Sequence, residues 1–504
     1  MAARKWFDRE KPLLVLLVLM AAAIRILFLL RFDNMPGDAT GTVERALHIL
    51  ENPSLMLNYN GNSSTFYKYM IASFMVFWRD PILAPRFFTA LFGIFLVIPY
   101  YGTLKEVFDR TIAFLSTLVL VFYPLHVVQS SVAASDAVFY FFLFCSLYYF
   151  FRFRNGQGSR TALWASALWF NGAALLRFES WIFIPIFFLF LWPKGKRDAF
   201  SFLALSVAAP CLCFLLNGMI HHDILYTFSA ASKTASVEIK GGRVPYDPSF
   251  WSWVGVLWWS SGPSVVIGGF AGVVLAFLTR QKRALAVFFL VLFLSFTINT
   301  YVARMWHHQR YSILLALLLI PYAWFLVDRV LDFFKIKGKI FFALFLLFPA
   351  INFWQMPFMA MGSTLCFTPP AVKNIGLWLK HNVQPDETLI IDADLSNAYP
   401  ANILLRSGIP PGRCLLLWRP TFEKARFRTQ ASFEGYLWNW RPKYLVLNSE
   451  GQLLTMLNWD PARRKFSSGN ISFEIVREED LPSLGKYLIY KVSYGKAPDG
   501  PKHG

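Results

Sequence analysis

From Leu13 to about residue 356 the chain is a succession of apolar runs, most of them roughly as long as a bilayer's hydrocarbon core is thick. That feature decides what the chain can fold into. In lipid no water meets a bare N–H or C=O, so a spanning segment must satisfy its own backbone, and a helix does so within one segment. The runs lie near residues 13–30, 82–104, 111–128, 137–151, 161–176, 181–193, 199–217, 262–279, 284–299, 311–328 and 340–356. They predict an α-helical polytopic membrane protein with about eleven spans. The first run continues past Ala21, Ala22 and Ala23 and many similar runs follow, so it reads as a retained span and not as a cleaved signal. Only 16% of the residues are charged, against 56% hydrophobic and 18% aromatic, too little polar surface to face water throughout.

The formal net charge of +19 raises the question of nucleic acid, but the basic residues sit in short clusters between apolar runs, which fits cytoplasmic loops and lipid headgroups; no nucleic-acid partner is expected. Arg152, Arg154 and Arg160 form one cluster, Lys194, Lys196 and Arg197 a second, Arg280, Lys282 and Arg283 a third. Arg329, Lys335, Lys337 and Lys339 follow. All alternate onto the side of the N-terminus, itself carrying Arg4, Lys5, Arg9 and Lys11. Positive charge stays on the cytoplasmic side, so the N-terminus is expected inside and, with an odd number of spans, the C-terminal region outside.

Residues 1–356 are therefore read as a transmembrane domain with outer loops at 31–81 and 218–261, and 357–504 as a small extracytoplasmic α/β domain. Within the first loop FYKYMIASFMVFW is aromatic but too short to cross, and reads as a helix lying in the membrane interface. In the tail, residues 370–382 have helical periodicity, TLIID and KYLVLN read as buried strands, and NAYPANILLRSG reads as a helix ending at Gly408.

With this topology the informative polar residues gather on one side. Asp33 and Asp38 follow the first span, Asp136 opens the fourth, Arg177 and Glu179 occupy a tight outer turn, and His307, His308, Arg310 and Tyr311 open the tenth. Ionisable groups at the membrane boundary are costly unless they line a water- or ligand-filled cavity. Carboxylates and cations together suit a site that activates a hydroxyl and holds a phosphate. Plainer readings stand beside this one. Asp38 and Asp136 each suit a helix N-terminus, Arg177 with Glu179 suits an interfacial pair, and Arg25, inside the first span, either snorkels outward or reaches into a cavity. Adjacent histidines rarely share one ligand position, and the acidic residues lack metal-ligand spacing, so no metal and no cofactor is expected. No nucleotide-binding fingerprint or Ser/His/Asp triad is found.

In order along the chain, several short motifs resemble those of the lipid-phosphate-dependent glycosyltransferases of the C-type membrane fold, especially the protein O-mannosyltransferase and aminoarabinose transferase relatives of glycosyltransferase family 39. They are Arg25 in a span ending RILFLLRF, Asp38 in the first outer loop, the interfacial FYKYMIASFMVFW, and APRFFTALFGIFLVIPYYG with its Arg86. FYPLHVVQSSVAASDAVFYFF, ending its motif on Asp136, and HHQRYSILLALLLIPYAWFL follow, and the tail segment KNIGLWLKHNVQPDETLIIDAD resembles the extracytoplasmic domain of bacterial members. The chain departs where members often carry Lys-Pro-Pro: it has Ser63-Ser64-Thr65, with Lys68 one turn on as a substitute cation. The resemblance implies a polyprenyl-phosphate sugar donor, an acceptor hydroxyl on a lipid, glycan or protein, and a bacterial inner-membrane location. It also implies Asp38 as base, Asp136 as orienting group, and Arg310, His308, Arg177, Arg25 and Lys68 around the donor phosphate, with Glu179, Asp33 and Tyr311 as further candidates. The lone acidic residue of the second loop, Asp136, implies metal-free transfer of a single sugar, and direct displacement at the anomeric carbon implies inversion. A lipid-linked sugar flippase and a glycan ligase or polymerase are the rivals.

Overall fold

Every apolar run expected to span is helical in the computed structural model, except the one at 340–356, which lies outside the described residues. The structure describes residues 10–33, 35–59, 65–240, 246–305, 309–334, 368–384, 386–392, 398–417, 430–457, 459–460, 462–481 and 485–495. Two compact units divide the chain: Met1–Phe32, Ser54–Met70 and Arg86–Gly362 form the first, and Asp33–Pro53, Ile71–Pro85 and Ser363–Gly504 the second.

Among the described residues, six helices are long and apolar enough to cross a membrane: Glu10–Arg31, Leu83–Val107, Asp136–Arg154, Lys196–His221, Arg283–Tyr301 and Gln309–Phe333. Arg110–Phe122, Phe178–Leu191 and Pro263–Leu278 are shorter apolar helices. The run at 111–128 breaks where its sequence says it should. Tyr123 precedes a proline and is extended (φ −66°, ψ 109°), so the helix stops at Phe122 and a short one restarts at Pro124. Asp109 caps the first piece, accepting from the N–H groups of Thr111 and Ile112 at 2.8 and 2.9 Å.

Packing in the first unit rests on aromatic edges and on glycine. Phe150, Phe187 and Phe288 meet edge-to-face with centroids 4.6–6.4 Å apart, which puts part of the chain's 52 phenylalanines to use. The Pro263–Leu278 helix lies hard against Gln309–Phe333: a Cβ on Gly272 would fall 2.0 Å from the Tyr322 carbonyl oxygen, and one on Gly269 2.3 Å from Leu319 Cγ. Pro321 sits inside the second of these helices and has no N–H for the carbonyl of Leu317. The buried Tyr100 donates its hydroxyl to that carbonyl at 2.9 Å, closing the gap in the ladder. Part of the expected outer loop 218–261 is helical too, at Tyr226–Lys240 and Ser252–Ser261. Trp253 of the latter donates to Thr300 Oγ1 at 3.0 Å.

The second unit carries a six-stranded sheet, ordered β2 (Cys414–Leu417), β1 (Leu389–Asp392), β3 (Tyr444–Asn448), β6 (Lys486–Tyr494), β5 (Ile471–Asp480), β4 (Lys465–Ser468). β2, β1 and β3 run parallel, and β3 to β4 antiparallel. The parallel strands are mostly apolar because both faces are covered, with the buried Asp392 and Asn448 at the ends of β1 and β3. Leu389 and Ile391 pack with Ile375 and Leu379 of the Pro370–Asn382 helix, while Ile390 packs with Phe433 and Leu437 of Gln430–Trp440. The Ala398–Ser407 helix stops at Gly408, whose φ of +69° suits a residue without a side chain.

Candidate functional site

Asp136 is the first residue of its helix, and the helix N-cap is Ser135. Its carboxylate is buried and does other work: Oδ1 accepts from Arg177 Nη1 at 2.6 Å. Arg177 follows the Arg160–Leu176 helix in an extended conformation (φ −151°) and leads into a 3-10 turn at Phe178–Ile182. That turn is held by Trp181 Nε1 donating to the Ala174 carbonyl at 3.0 Å and Ser180 Oγ to the Arg177 carbonyl at 2.9 Å. The second guanidinium nitrogen, Nη2, donates to Glu179 Oε1 at 2.7 Å. One fork therefore holds two carboxylates in charge-assisted bonds, the geometry for which arginine suits and lysine does not.

Aromatic rings close around this group. The Arg177 guanidinium lies 5.0 Å from the Tyr311 ring centroid and 5.9 Å from that of Phe139. Arg310 approaches the same Tyr311 ring at 5.2 Å and reaches its hydroxyl only at 3.5 Å, the outer limit of a hydrogen bond. Tyr140 Oη donates to the Arg310 carbonyl at 3.2 Å, tying the start of the Gln309–Phe333 helix to the Asp136 helix. Asp136, Arg177, Glu179, Arg310 and Tyr311, scattered over 176 positions of sequence, thus form one cluster of alternating charge.

Arg25 is elsewhere in the same unit. It is fully buried, and its Nε donates to Ser130 Oγ at 3.0 Å, Nη1 to the Ala21 carbonyl at 3.2 Å, and Nη2 to His126 Nδ1 at 2.7 Å. Because arginine only donates, His126 Nδ1 must accept, which places that ring's proton on Nε2. A Cβ on Gly93 would stand 2.4 Å from Ser130 Cβ, so the bare helix surface there is what lets this knot form. His126 and Ser130 are residues the sequence reading missed; a lone histidine within an apolar run was their one signal. Arg86, equally buried, donates through Nε to the Ser131 carbonyl at 2.9 Å and through Nη2 to that of Phe32. Lys68 is buried on the Thr65–Met75 helix, whose neighbouring Tyr67 hydroxyl bonds Thr89 Oγ1 at 2.6 Å.

Asp38 and Asp33 belong to the second unit. Asp38 is the exposed second residue of the Gly37–Glu51 helix, whose N-cap is Pro36. Asp33 pairs with Lys373 at 2.9 Å and Arg406 at 3.1 Å. His308 lies outside the described residues. Among the described residues, no three His, Cys, Asp or Glu side chains come together as a metal site.

The apolar helices, the sheet-bearing unit and the solved structures the chain resembles show a polytopic membrane protein with the C-type glycosyltransferase fold. Residues 53–192 match the family described as dolichyl-phosphate-mannose-protein mannosyltransferase. Among solved structures, ArnT from Cupriavidus metallidurans bound to undecaprenyl phosphate is similar at 12% identity and a TM-score of 0.63, over 96% of this chain and 99% of that one. The apo oligosaccharyltransferase from Archaeoglobus fulgidus is similar at 12% identity and a TM-score of 0.60, over 88% of this chain and 70% of that one. At such identities the likeness is one of fold. No curated protein sequence matches the chain. The relatives are glycosyl- or oligosaccharyltransferases, and the resemblance drawn from the motifs holds.

Proposed function

We propose that this protein is a membrane glycosyltransferase that moves a single sugar from a polyprenyl-phosphate carrier to an acceptor hydroxyl on the extracytoplasmic face. The observation that carries the reading is the buried Asp136–Arg177–Glu179 group beside Tyr311 and Arg310, in a fold shared over nearly its whole length with an enzyme bound to undecaprenyl phosphate. Nucleotide sugars are cytoplasmic, so an outward-facing transferase needs a donor whose carrier crosses the membrane.

In the proposed reaction Asp38 takes the acceptor's hydroxyl proton as its oxygen attacks the anomeric carbon. The bond from that carbon to the phosphate oxygen breaks, its electrons stay on the phosphate, and the anomeric configuration inverts. The phosphate needs cations. Arg177 already serves two carboxylates, so its role in this scheme is to fix Asp136 as an orienting group for sugar or acceptor. Arg310, set against the Tyr311 ring, is the better phosphate ligand, with His308 beside it in sequence and Lys68 as a further cation. Arg25 is engaged with His126 and Ser130, which favours shaping the bundle over binding donor. The scheme needs no metal. It places the N-terminus in the cytoplasm of a bacterial inner membrane and the 357–504 domain outside.

The test is Asp38→Asn. Asparagine keeps the size and local hydrogen bonding of a helix-start residue but cannot take the proton. The purified variant should fold normally and bind undecaprenyl phosphate normally, yet transfer label from dolichyl-phosphate [3H]mannose to a membrane acceptor extract at least about a hundredfold more slowly. A well-folded Asp38→Asn protein at near wild-type rate would shift the base to Asp136.

A further inference from the structure

Asp33 and the helix that carries Asp38 fold as part of the second unit, together with residues 363–504. The junction is a set of polar contacts on one short stretch of backbone. Asp33 Oδ1 meets Lys373 Nζ at 2.9 Å, and its Oδ2 accepts from Arg406 Nη2 at 3.1 Å. The same nitrogen lies 3.2 Å from the Asp33 carbonyl oxygen. Two residues on, the Met35 carbonyl accepts from Asn402 Nδ2 at 2.8 Å, and Met35 is itself buried. Asn402 and Arg406 stand four residues apart on the Ala398–Ser407 helix, so one helix face holds both Asp33 and the Met35 carbonyl.

Beyond that grip, Ala39, Val43 and Ala46 form a buried stripe at helical spacing on Gly37–Glu51. Asp38 itself faces solvent, three residues past Met35. An isolated surface ion pair would hold such a loop weakly. Here the Arg406 side chain is only 13% exposed, and one carboxylate serves two cations while a side-chain amide fixes the adjacent backbone. Those contacts limit where the Asp38 carboxylate can go, and displacements of about 1 Å at a reacting group cost on the order of a hundredfold in rate.

We propose that Arg406, Asn402 and Lys373 are positioning residues: through Asp33 and Met35 the C-terminal α/β domain holds the Asp38 carboxylate in place for proton transfer. The proposal rests on the reading of Asp38 as the base, and it gives the C-terminal domain a direct part in turnover.

The test uses full-length protein in nanodiscs and the variants Arg406→Gln, Arg406→Lys and Asp33→Asn. Amide hydrogen exchange over 37–51 is compared with exchange in β1 and β3. Both neutral variants should speed exchange over 37–51 by about tenfold while leaving the two strands protected, and Arg406→Lys should recover much of the loss. In the same proteins kcat for transfer from dolichyl-phosphate [3H]mannose should fall about tenfold, with KM for that donor and affinity for undecaprenyl phosphate unchanged. Unaltered exchange over 37–51 in both neutral variants overturns the proposal. Loss of protection in β1 and β3 in both also overturns it, because the contacts would then be a general strut of the domain. Should exchange respond as expected while Asp38→Asn keeps its rate, the holding contact stands and only the base assignment falls.

Discussion

Replacing Arg177 by alanine removes the cation between two carboxylates and leaves both acids in place. The side chains of Asp136, Arg177 and Glu179 are 2%, 12% and 16% exposed, so solvent can take over little of the lost pairing. Breaking a buried pair from one side typically costs about 3–5 kcal/mol, against at most about 1 kcal/mol for an exposed one. The 2.6 and 2.7 Å bonds and the low exposure put Arg177→Ala in the first class. Arg177→Lys should fall between, because a point charge cannot serve both acids as the fork does. Asp136→Asn should cost less, since Glu179 still balances the guanidinium. The assay is SDS titration of the purified protein in mixed micelles, read by circular dichroism. The Asp136→Asn/Arg177→Ala double variant supplies the coupling energy, expected at about 0.5–3 kcal/mol. If Arg177→Ala unfolds within about 1 kcal/mol of wild type, the cluster is a surface pair and its place at the centre of the site is wrong.

The glycine contact between Pro263–Leu278 and Gln309–Phe333 predicts that Gly272→Ala, whose new Cβ would meet Tyr322 backbone at 2.0 Å, costs about 1–3 kcal/mol in the same titration. Gly255→Ala, with nothing within 4 Å, should be neutral or slightly stabilising. Burial of Glu44, outside the spans, raises its carboxyl above the ordinary value of 4.5, partly offset by Arg45. The folded state then holds more protons than the unfolded one just above that value, so this contribution to stability falls as pH rises. Glu44→Gln should flatten that decline in a melting series from about pH 4 to pH 7, and an unchanged slope would count against it. Finally, sugar transfer should survive EDTA; recovery only on adding manganese or magnesium would point to a metal-dependent mechanism.

The helices were readable because hydropathy is local, and the described runs lie where the periodicity put them. The cluster was readable only as a list. Asp136, Arg177, Glu179, Arg310 and Tyr311 stand at the ends of apolar runs, which charge alternation sorts to one side. That one guanidinium takes both acids depends on segments 41 positions apart packing together, and no single segment records that. The Asp33–Arg406 contact spans 373 positions and is just as silent. In the tail, TLIID and KYLVLN were visible because strands covered on both faces carry a continuous apolar run, here Leu389–Ile391 and Tyr444–Leu447. β5, ISFEIVREED, is largely polar with partial burial on alternating residues, and its identity as a strand rests on its pairing with β6.

The Tyr100–Leu317 bond bears on how the protein is made. A helix containing Pro321 enters lipid with one carbonyl unserved, a state the bilayer penalises until a donor arrives. The donor lies 217 positions earlier, on a segment the ribosome has long since released. The Gln309–Phe333 helix can therefore be inserted alone but completed only against a bundle already standing. Early spans thereby prepare the place of a late one, and Tyr100→Phe would leave this helix in the membrane with its ladder open.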